Sequence, residues 1–477
     1  MKKSGLIIGG VEQPAVSGKT FDVLAPATEQ VMGTAARGAA ADVDSAVAAA
    51  RSGFEQWYAL AASEREAVLL RAAAIIDAEG ERRYLDLLID ESGSVISKAR
   101  YEIARTADLL RAAAGEARRL YGDTLPNDRP DRVSMVFREP LGVVAAIVPY
   151  NAPLLLLTKM TAFPLAAGNS LVIKPSEETP LIAVEYAKLL VEAGLPAAAI
   201  SVVTGFGAEC GAPLVSHNDI NAIALTGSTA TGKVIGKVGI EKMRPMQLEL
   251  GGKSALLVLN DFDPAKAAAI AIDGMFTHAG QICMANSRII VEQAVYDDFI
   301  AALKAGCEQL SIGDMRDPNA AYGPLINRRA LEKVQRHITD AVSRGTKILT
   351  GGDVQHGLTL QPTVLLEPPR DTGVWVDESF GPLVSVVKAE DLDDAIALAN
   401  DSTFGLSAAV LTHNIQHGFK AARRIRSGAV HIGMHSFQSN AMAPIGGPDD
   451  SGLGRSGGRY STEEFTELKW ISVELGD

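Results

Sequence analysis

Two periodicities divide the chain. From Asp42 the apolar positions Val43, Val47, Ala50 and Phe54 recur on one helical stripe, and a second helical pattern runs from about Ser63 to Ala78. The front is therefore expected to be helical after short strands. From Leu141 the texture changes to short apolar runs at 141–149 (LGVVAAIVP), 171–174 (LVIK), 200–203 (ISVV), 222–226 (AIALT) and 255–259 (ALLVL), separated by segments of helix length. Such alternation predicts a doubly wound parallel sheet. A second alternation starts beyond Phe262, with helical patterns near 265–278, 294–309 and 328–344 and strand-like runs at 287–292, 383–387, 407–411 and 429–432. It predicts a second α/β domain. Between Tyr121 and Arg138, and again from Arg459 onward, strand-compatible pieces fit neither sheet and are expected to be inter-subunit arms. No repeat of solenoid period and no low-complexity segment appears.

Length and composition narrow the classes. A chain of 477 residues is too long for one ordinary core and suggests roughly two or three domains. Lys and Arg total 45 against 57 Asp and Glu, a net charge of -12 that would repel a phosphate backbone, and no basic run or aromatic-basic interleaving offsets it. Nucleic acid is not an expected partner. The start, MKKSGLIIGG, lacks the apolar core of a signal peptide, and LLLLTKM at 154–160 is broken by Lys159, so neither export nor a membrane span is expected. A soluble cytoplasmic protein is the expectation. The three cysteines, Cys210, Cys283 and Cys307, form no C-x-x-C pair, which suits a reducing compartment. His431 and His435 stand at i,i+4 but in what reads as strand and loop, so no metal site is expected. Without a G-x-S-x-G elbow, a serine hydrolase has no anchor.

The candidate chemistry clusters where a doubly wound sheet places its ligands, outside the carboxyl ends of the strands. Asn151 follows the first run, Lys174 and Glu177 the second, Gly205 and Gly207 the third, Gly227 and Ser228 the fourth. GFGAEC at 205–210 is a poor dinucleotide fingerprint. GSTATG at 227–232 follows a strand and should open a helix, presenting free N–H groups and the positive helix end to a pyrophosphate; a plain N-cap by Ser228 or Thr229 is the alternative. KPSEETP at 174–180 sets a cation and an anion three residues apart, suited to the two hydroxyls of a ribose. Cys283, in GQICM, and Glu249, opening ELGGK, offer a soft nucleophile and a carboxylate base. A thiolate adding to an aldehyde gives a thiohemiacetal that yields a hydride and leaves a thioester, which a carboxylate-activated water can hydrolyse. Each residue alone also reads as structural, the cysteine as a small buried hydrophobe and the glutamate as a cap.

Taken with VPYNAP, GPLIN at 323–327, DESFGP at 377–382 and PIGGPDDSGLGR at 444–455, these motifs resemble the aldehyde dehydrogenase superfamily, in its order and over essentially the whole chain. The resemblance implies a Rossmann-like cofactor domain over 1–119 and 141–251, a catalytic domain over 252–440, oligomerisation arms at 120–140 and 459–477, and an anchor loop at 441–458. It implies that Cys283 is the nucleophile, Glu249 the general base, and Asn151 with the Cys283 backbone N–H the oxyanion hole. Lys174 and Glu177 would bind the adenosine ribose, Gly227 and Ser228 the pyrophosphate, and Glu378 the nicotinamide ribose, with Phe380 and Tyr150 against the nicotinamide. Glu177 would repel a 2'-phosphate, so NAD is expected ahead of NADP, which Lys174 would still tolerate. Glu249 favours release of a free acid over acyl transfer, since family members that acylate coenzyme A typically lack it. A homodimer or homotetramer is the expected assembly.

The chain departs from the family pattern near the aldehyde. Tyr150 and Ala152 flank Asn151 where Trp and Phe are usual, Ile445 replaces a usual Phe, Gly433 stands where Asn is common, and Pro448, Asp449 and Asp450 alter a stretch that usually carries a lysine. Ala152 should widen the tunnel. The tail EEFTELKWISV, with GQICM and GAVHI, looks closest to the benzaldehyde, vanillin and salicylaldehyde dehydrogenase branch, so an aromatic aldehyde is the expected substrate, lined by Leu155, Met284, Met434 and Phe437, with His435 near a ring hydroxyl. Lys159 sits where that branch often has arginine; it would meet a distal acidic substituent or lie on the helix surface. A semialdehyde bearing a distal carboxylate is the alternative substrate. A structural protein of the same fold, or a cysteine hydrolase without nucleotide, is the alternative class; the first need not keep Cys283, Glu249 and Asn151 together, and the second leaves GSTATG and DESFGP unexplained.

Overall fold

A computed structural model describes residues 2–475. The runs from Leu141 form the centre of an eight-stranded sheet, in the order Gly452–Leu453, Met246–Glu249, Ala222–Thr226, Val143–Ile147, Ser170–Lys174, Ile200–Val202, Leu6–Ile8, Val11–Gln13. The five central strands are parallel. Their side chains alternate between two cores, Val144, Ala146, Leu171 and Ile173 on one face and Val143, Ala145 and Val172 on the other, which is why the sequence shows continuous apolar runs. The order reverses between Val143–Ile147 and Ala222–Thr226, and a crevice opens at that switch point.

The second sheet has seven strands: Lys347–Thr350, Thr363–Leu366, Leu383–Ala389, Asn286–Glu292, Ser254–Val258, Ser407–Leu411, Ala429–Ile432. Ser254–Val258 lies in its interior, between Asn286–Glu292 and Ser407–Leu411. This corrects the grouping of the 255–259 run with the first sheet. The place beside Ala222–Thr226 there belongs instead to Met246–Glu249, a strand of four residues whose apolar pattern is cut by the buried Gln247.

Helices Ala40–Tyr58 and Ala62–Gly80 match the periodic front. The first is closed by Asp42, whose carboxylate accepts from the backbone N–H groups of Ala39 and Val16 at 2.9 Å each. Ile96–Ala117, the longest helix, has a stripe made largely of Ala99, Ala107, Ala113 and Ala114, too weakly apolar to stand out. Asp123–Leu125, Arg132–Pro140 and Thr466–Glu474 form a separate three-stranded antiparallel sheet. The stretch from Arg459 is not all strand as expected: Gly458–Glu464 is helical and the strand begins at Thr466. On this small sheet Leu468, Trp470 and Phe137 are exposed. Among the described residues no helix is long and apolar enough to cross a membrane.

Candidate active site

The carboxyl ends of the first sheet meet the second domain at a cleft of about 380 Å³, lined among others by Tyr150, Asn151, Gly227, Ser228, Cys283, Glu378 and Phe380. Seven residues named from sequence are thus brought into one cavity. Each arrives by a short route from a strand end. Asn151 follows Val143–Ile147 and precedes helix Pro153–Ala166, and Gly227 and Ser228 follow Ala222–Thr226. Ser228 caps helix Thr229–Glu241, its Oγ accepting from the N–H of Thr231 at 3.2 Å. The helix terminus opens on the cleft, so the cap and the anion-site readings of GSTATG coexist in one residue.

Cys283 sits on a loop of unusual backbone. His278, Ala279 and Gly280 are consecutive left-handed residues, with φ of 53°, 55° and 68°. For the two with side chains such conformations cost on the order of 1–3 kcal/mol each, so the surroundings must hold them. Gln281 does much of that holding. Fully buried, it donates to the carbonyls of His278 (3.2 Å) and Pro324 (3.4 Å) and accepts from the N–H of Ile326 (3.0 Å). Its own carbonyl accepts from the Asn151 amide at 2.8 Å. One amide hydrogen of Asn151 is thereby fixed, which aims the group and leaves its second hydrogen as a donor. Lys98 steadies the other side of Asn151, donating to its carbonyl at 2.9 Å, while Glu102 accepts from Leu154 and Leu155 at the helix start.

ELGGK packs under this loop. A Cβ on Gly252 would stand 2.2 Å from the Cys283 carbonyl, and one on Gly251 would stand 3.0 Å from the Glu378 carboxyl. The first approach, to backbone, admits only glycine; the second is tight against a side chain. The N–H of Gly252 donates to Glu378 at 3.1 Å, and Lys253, fully enclosed, donates to Ser379 at 2.8 Å. Phe380 adopts a left-handed φ of 49° and meets Tyr150 edge-on, ring centres 6.0 Å apart.

Burial and the carboxylates of Glu249 and Glu378 push the Cys283 thiol up to about 12, against a smaller opposing pull from Lys159. Glu249 is itself pushed above the ordinary carboxylate range by burial, with Lys159 and Arg455 working in the opposite sense. Its strand is fixed from outside by Gly452–Leu453, which pairs with Leu248 and Glu249. Glu249 Oε2 lies 3.5 Å from the Lys159 ammonium, whereas Oε1 is buried with no hydrogen-bond partner. Lys159 therefore neither lies on a helix surface nor stands free for a substrate group. It is 7% exposed and already faces a carboxylate.

Lys174, the last residue of Ser170–Lys174, pairs with Glu177 at 3.2 Å, outside the cleft lining. The eight residues assigned to the substrate are also outside that lining. Ala152 precedes helix Pro153–Ala166, Leu155 lies in its first turn and Met284 is buried beside Cys283, whereas Met434 is exposed and His435 faces Asp273 at 3.3 Å, stacked on Phe437. Ile445 bridges to Ser456. The cleft is instead completed by Leu156, Leu250 and a wall that sequence reasoning missed, Asn327, Arg329, Lys333 and Arg336. The signal was present: the three cations recur at i, i+4 and i+7 behind GPLIN, on one face of helix Arg328–Ser343. With the helix terminus at Ser228 opposite, the two walls suit an anionic pyrophosphate.

The aldehyde dehydrogenase family model matches residues 13–471. The chain belongs to this family. A glutarate-semialdehyde dehydrogenase of Pseudomonas putida is 36% identical over 468 residues, covering 98% of this chain and 97% of that protein. A vanillin dehydrogenase of Pseudomonas fluorescens is 36% identical, covering 99% and 98%. The crystal structure of an NAD-dependent aldehyde dehydrogenase from Sinorhizobium meliloti superposes with a TM-score of 0.97 at 34% identity, covering 100% of this chain and 96% of that one. Aldehyde dehydrogenase chemistry with NAD or NADP follows, together with the family fold expected from the sequence.

Proposed function

We propose that the chain oxidises an aromatic aldehyde of the benzaldehyde or vanillin type to the free acid, with NAD+ preferred. The observation that carries the hydrolytic outcome is the buried Glu249 carboxylate beside Cys283, with one oxygen unpartnered. Cys283 gives up its thiol proton to solvent water as its sulfur adds to the aldehyde carbon, and the second Asn151 amide hydrogen and the Cys283 backbone N–H receive the developing oxyanion. The nicotinamide cofactor, when bound, supplies the hydride acceptor; Ser228 and the cationic helix face would hold its phosphates, Glu378 and the Lys174–Glu177 pair its riboses, and Phe380 its ring. Collapse of the thiohemiacetal leaves a thioester on Cys283. Glu249 Oε1 then takes a proton from water as its oxygen attacks the acyl carbon, the C–S bond breaks, and the electron pair returns to sulfur.

Ala152, next to Asn151, is a small side chain where a bulkier one would stand closer to the reacting carbon, and the vanillin dehydrogenase relative has an aromatic aldehyde in its name. A semialdehyde with a distal carboxylate is the second reading, favoured by the glutarate-semialdehyde dehydrogenase relative. Comparison of kcat/KM for benzaldehydes, succinic semialdehyde and hexanal separates them: benzaldehydes should lead, and a preference for hexanal overturns both. Glu249→Gln should retain a pre-steady-state burst of NADH while steady turnover falls by roughly 10²–10⁴; unchanged turnover removes Glu249 as the base. The exposed apolar residues of the three-stranded sheet support a homodimer or homotetramer, and the three scattered cysteines support a cytoplasmic setting.

A further inference from the structure

Lys159 is the feature the reaction scheme leaves unused. It rises from helix Pro153–Ala166, whose first turn is locked by Glu102, and buries its ammonium 3.5 Å from Glu249 Oε2. An ammonium so placed forfeits hydration, so it persists only with a compensating charge. Glu249 is that charge. The groups facing Glu249 are Lys159 from this helix, Arg455 from the C-terminal segment and the Cys283 thiol from the catalytic loop; those facing Cys283 are Glu249, Glu378 and Lys159.

We propose that Lys159 is a positioning residue, the fixed counter-ion of the base: it holds one oxygen of Glu249 and so presents the other, unpartnered oxygen to the water that hydrolyses the thioester. This rests on the assignment of Glu249 as the base. The water proton passes to Oε1, and the departing electron pair to sulfur. A cation within about 4–6 Å lowers a carboxylate by roughly 1–3 pH units, so the ammonium opposes the upward push that burial exerts on Glu249. A cation reserved for a substrate's distal carboxylate would instead stand clear of Glu249.

The test measures the rate of thioester hydrolysis after the NADH burst, between pH 5 and 10, with benzaldehyde. In Lys159→Met the rising limb should move up by about 1–2 pH units, a loss of roughly 10- to 100-fold on its acid side, with the burst and NADH binding by fluorescence retained. Lys159→Arg should restore most of the loss. Combined with Glu249→Gln, Lys159→Met should cause no further loss in hydrolysis, because on that step its effect runs through that carboxylate. A superimposable pH profile in Lys159→Met, or an added loss in the double variant, overturns the proposal. So does a defect confined to KM for succinic semialdehyde, which would make Lys159 a substrate-docking cation. If Lys159→Met does not fold, Lys159→Gln, which keeps a hydrogen-bond donor without charge, must show the same limb shift. The two assignments fail separately: undiminished turnover in Glu249→Gln removes the base, whereas collapse there with an unmoved Lys159→Met profile removes only the counter-ion.

Discussion

The resting state of Cys283 yields a quantitative prediction. Its thiol is pushed up to about 12 from an ordinary 9.0, first by burial and then by Glu249 and Glu378. At pH 8 a thiol at 9.0 is ionised to about a tenth, and one at about 12 to roughly one part in ten thousand, a deficit on the order of 10³. The more basic thiolate is intrinsically more nucleophilic, which recovers about 16- to 32-fold over that shift, so alkylation should be roughly 30- to 60-fold slower than for an unperturbed thiol. The assay is iodoacetamide labelling of the cofactor-free enzyme, with the Cys283 peptide followed by mass spectrometry from pH 6 to 10. The rate should rise about tenfold per pH unit without levelling. The neighbours have opposite signs. Glu249→Gln removes a charge that raises the thiol and should speed labelling; Lys159→Met removes one that lowers it and should slow it. A plateau below pH 9, or slower labelling in Glu249→Gln, refutes the electrostatic reasoning.

Three further outcomes are expected. Gln281→Ala deletes the hydrogen bonds to His278, Pro324 and Ile326 and should lower kcat by about 10²-fold through misplacement of Cys283, with NADH affinity in fluorescence titration unchanged. Glu177→Ala should raise the ratio of kcat/KM for NADP over NAD by roughly tenfold, because one carboxylate no longer repels a 2'-phosphate. Trp470→Glu, on the exposed face of the strand Thr466–Glu474, should shift the sedimentation coefficient towards the monomer; an unchanged coefficient places the subunit contact elsewhere.

What was legible in the sequence follows from what each pattern encodes. Buried parallel strands announce themselves as continuous apolar runs, so AIALT at 222–226 is a strand with those bounds. Met246–Glu249 did not announce itself, because Gln247 interrupts it, and ALLVL was grouped with the wrong sheet, because a run carries no record of its neighbours. Cys283, Asn151 and Glu378 were legible as motif residues, and the fold brings them together. The pairing of Lys159 with Glu249 was not, since the two lie on different elements and meet only when helix Pro153–Ala166 crosses the sheet end. The cations of helix Arg328–Ser343 were spaced for a common face, but nothing local says that the face closes the cleft. Gln281 sat inside a recognised motif, yet its work is to hold the backbone, which a motif does not display.

The central claim is that the acyl group passes through Cys283 and is released by Glu249. Quenching Glu249→Gln after one turnover with benzaldehyde and NAD+, then mass analysis of the peptide bearing Cys283, tests it most directly. A benzoyl adduct on Cys283 in near-stoichiometric amount with the NADH formed is expected, with its rapid loss in the unmodified enzyme. NADH formed without an adduct, or an adduct on Cys210 or Cys307, would contradict it.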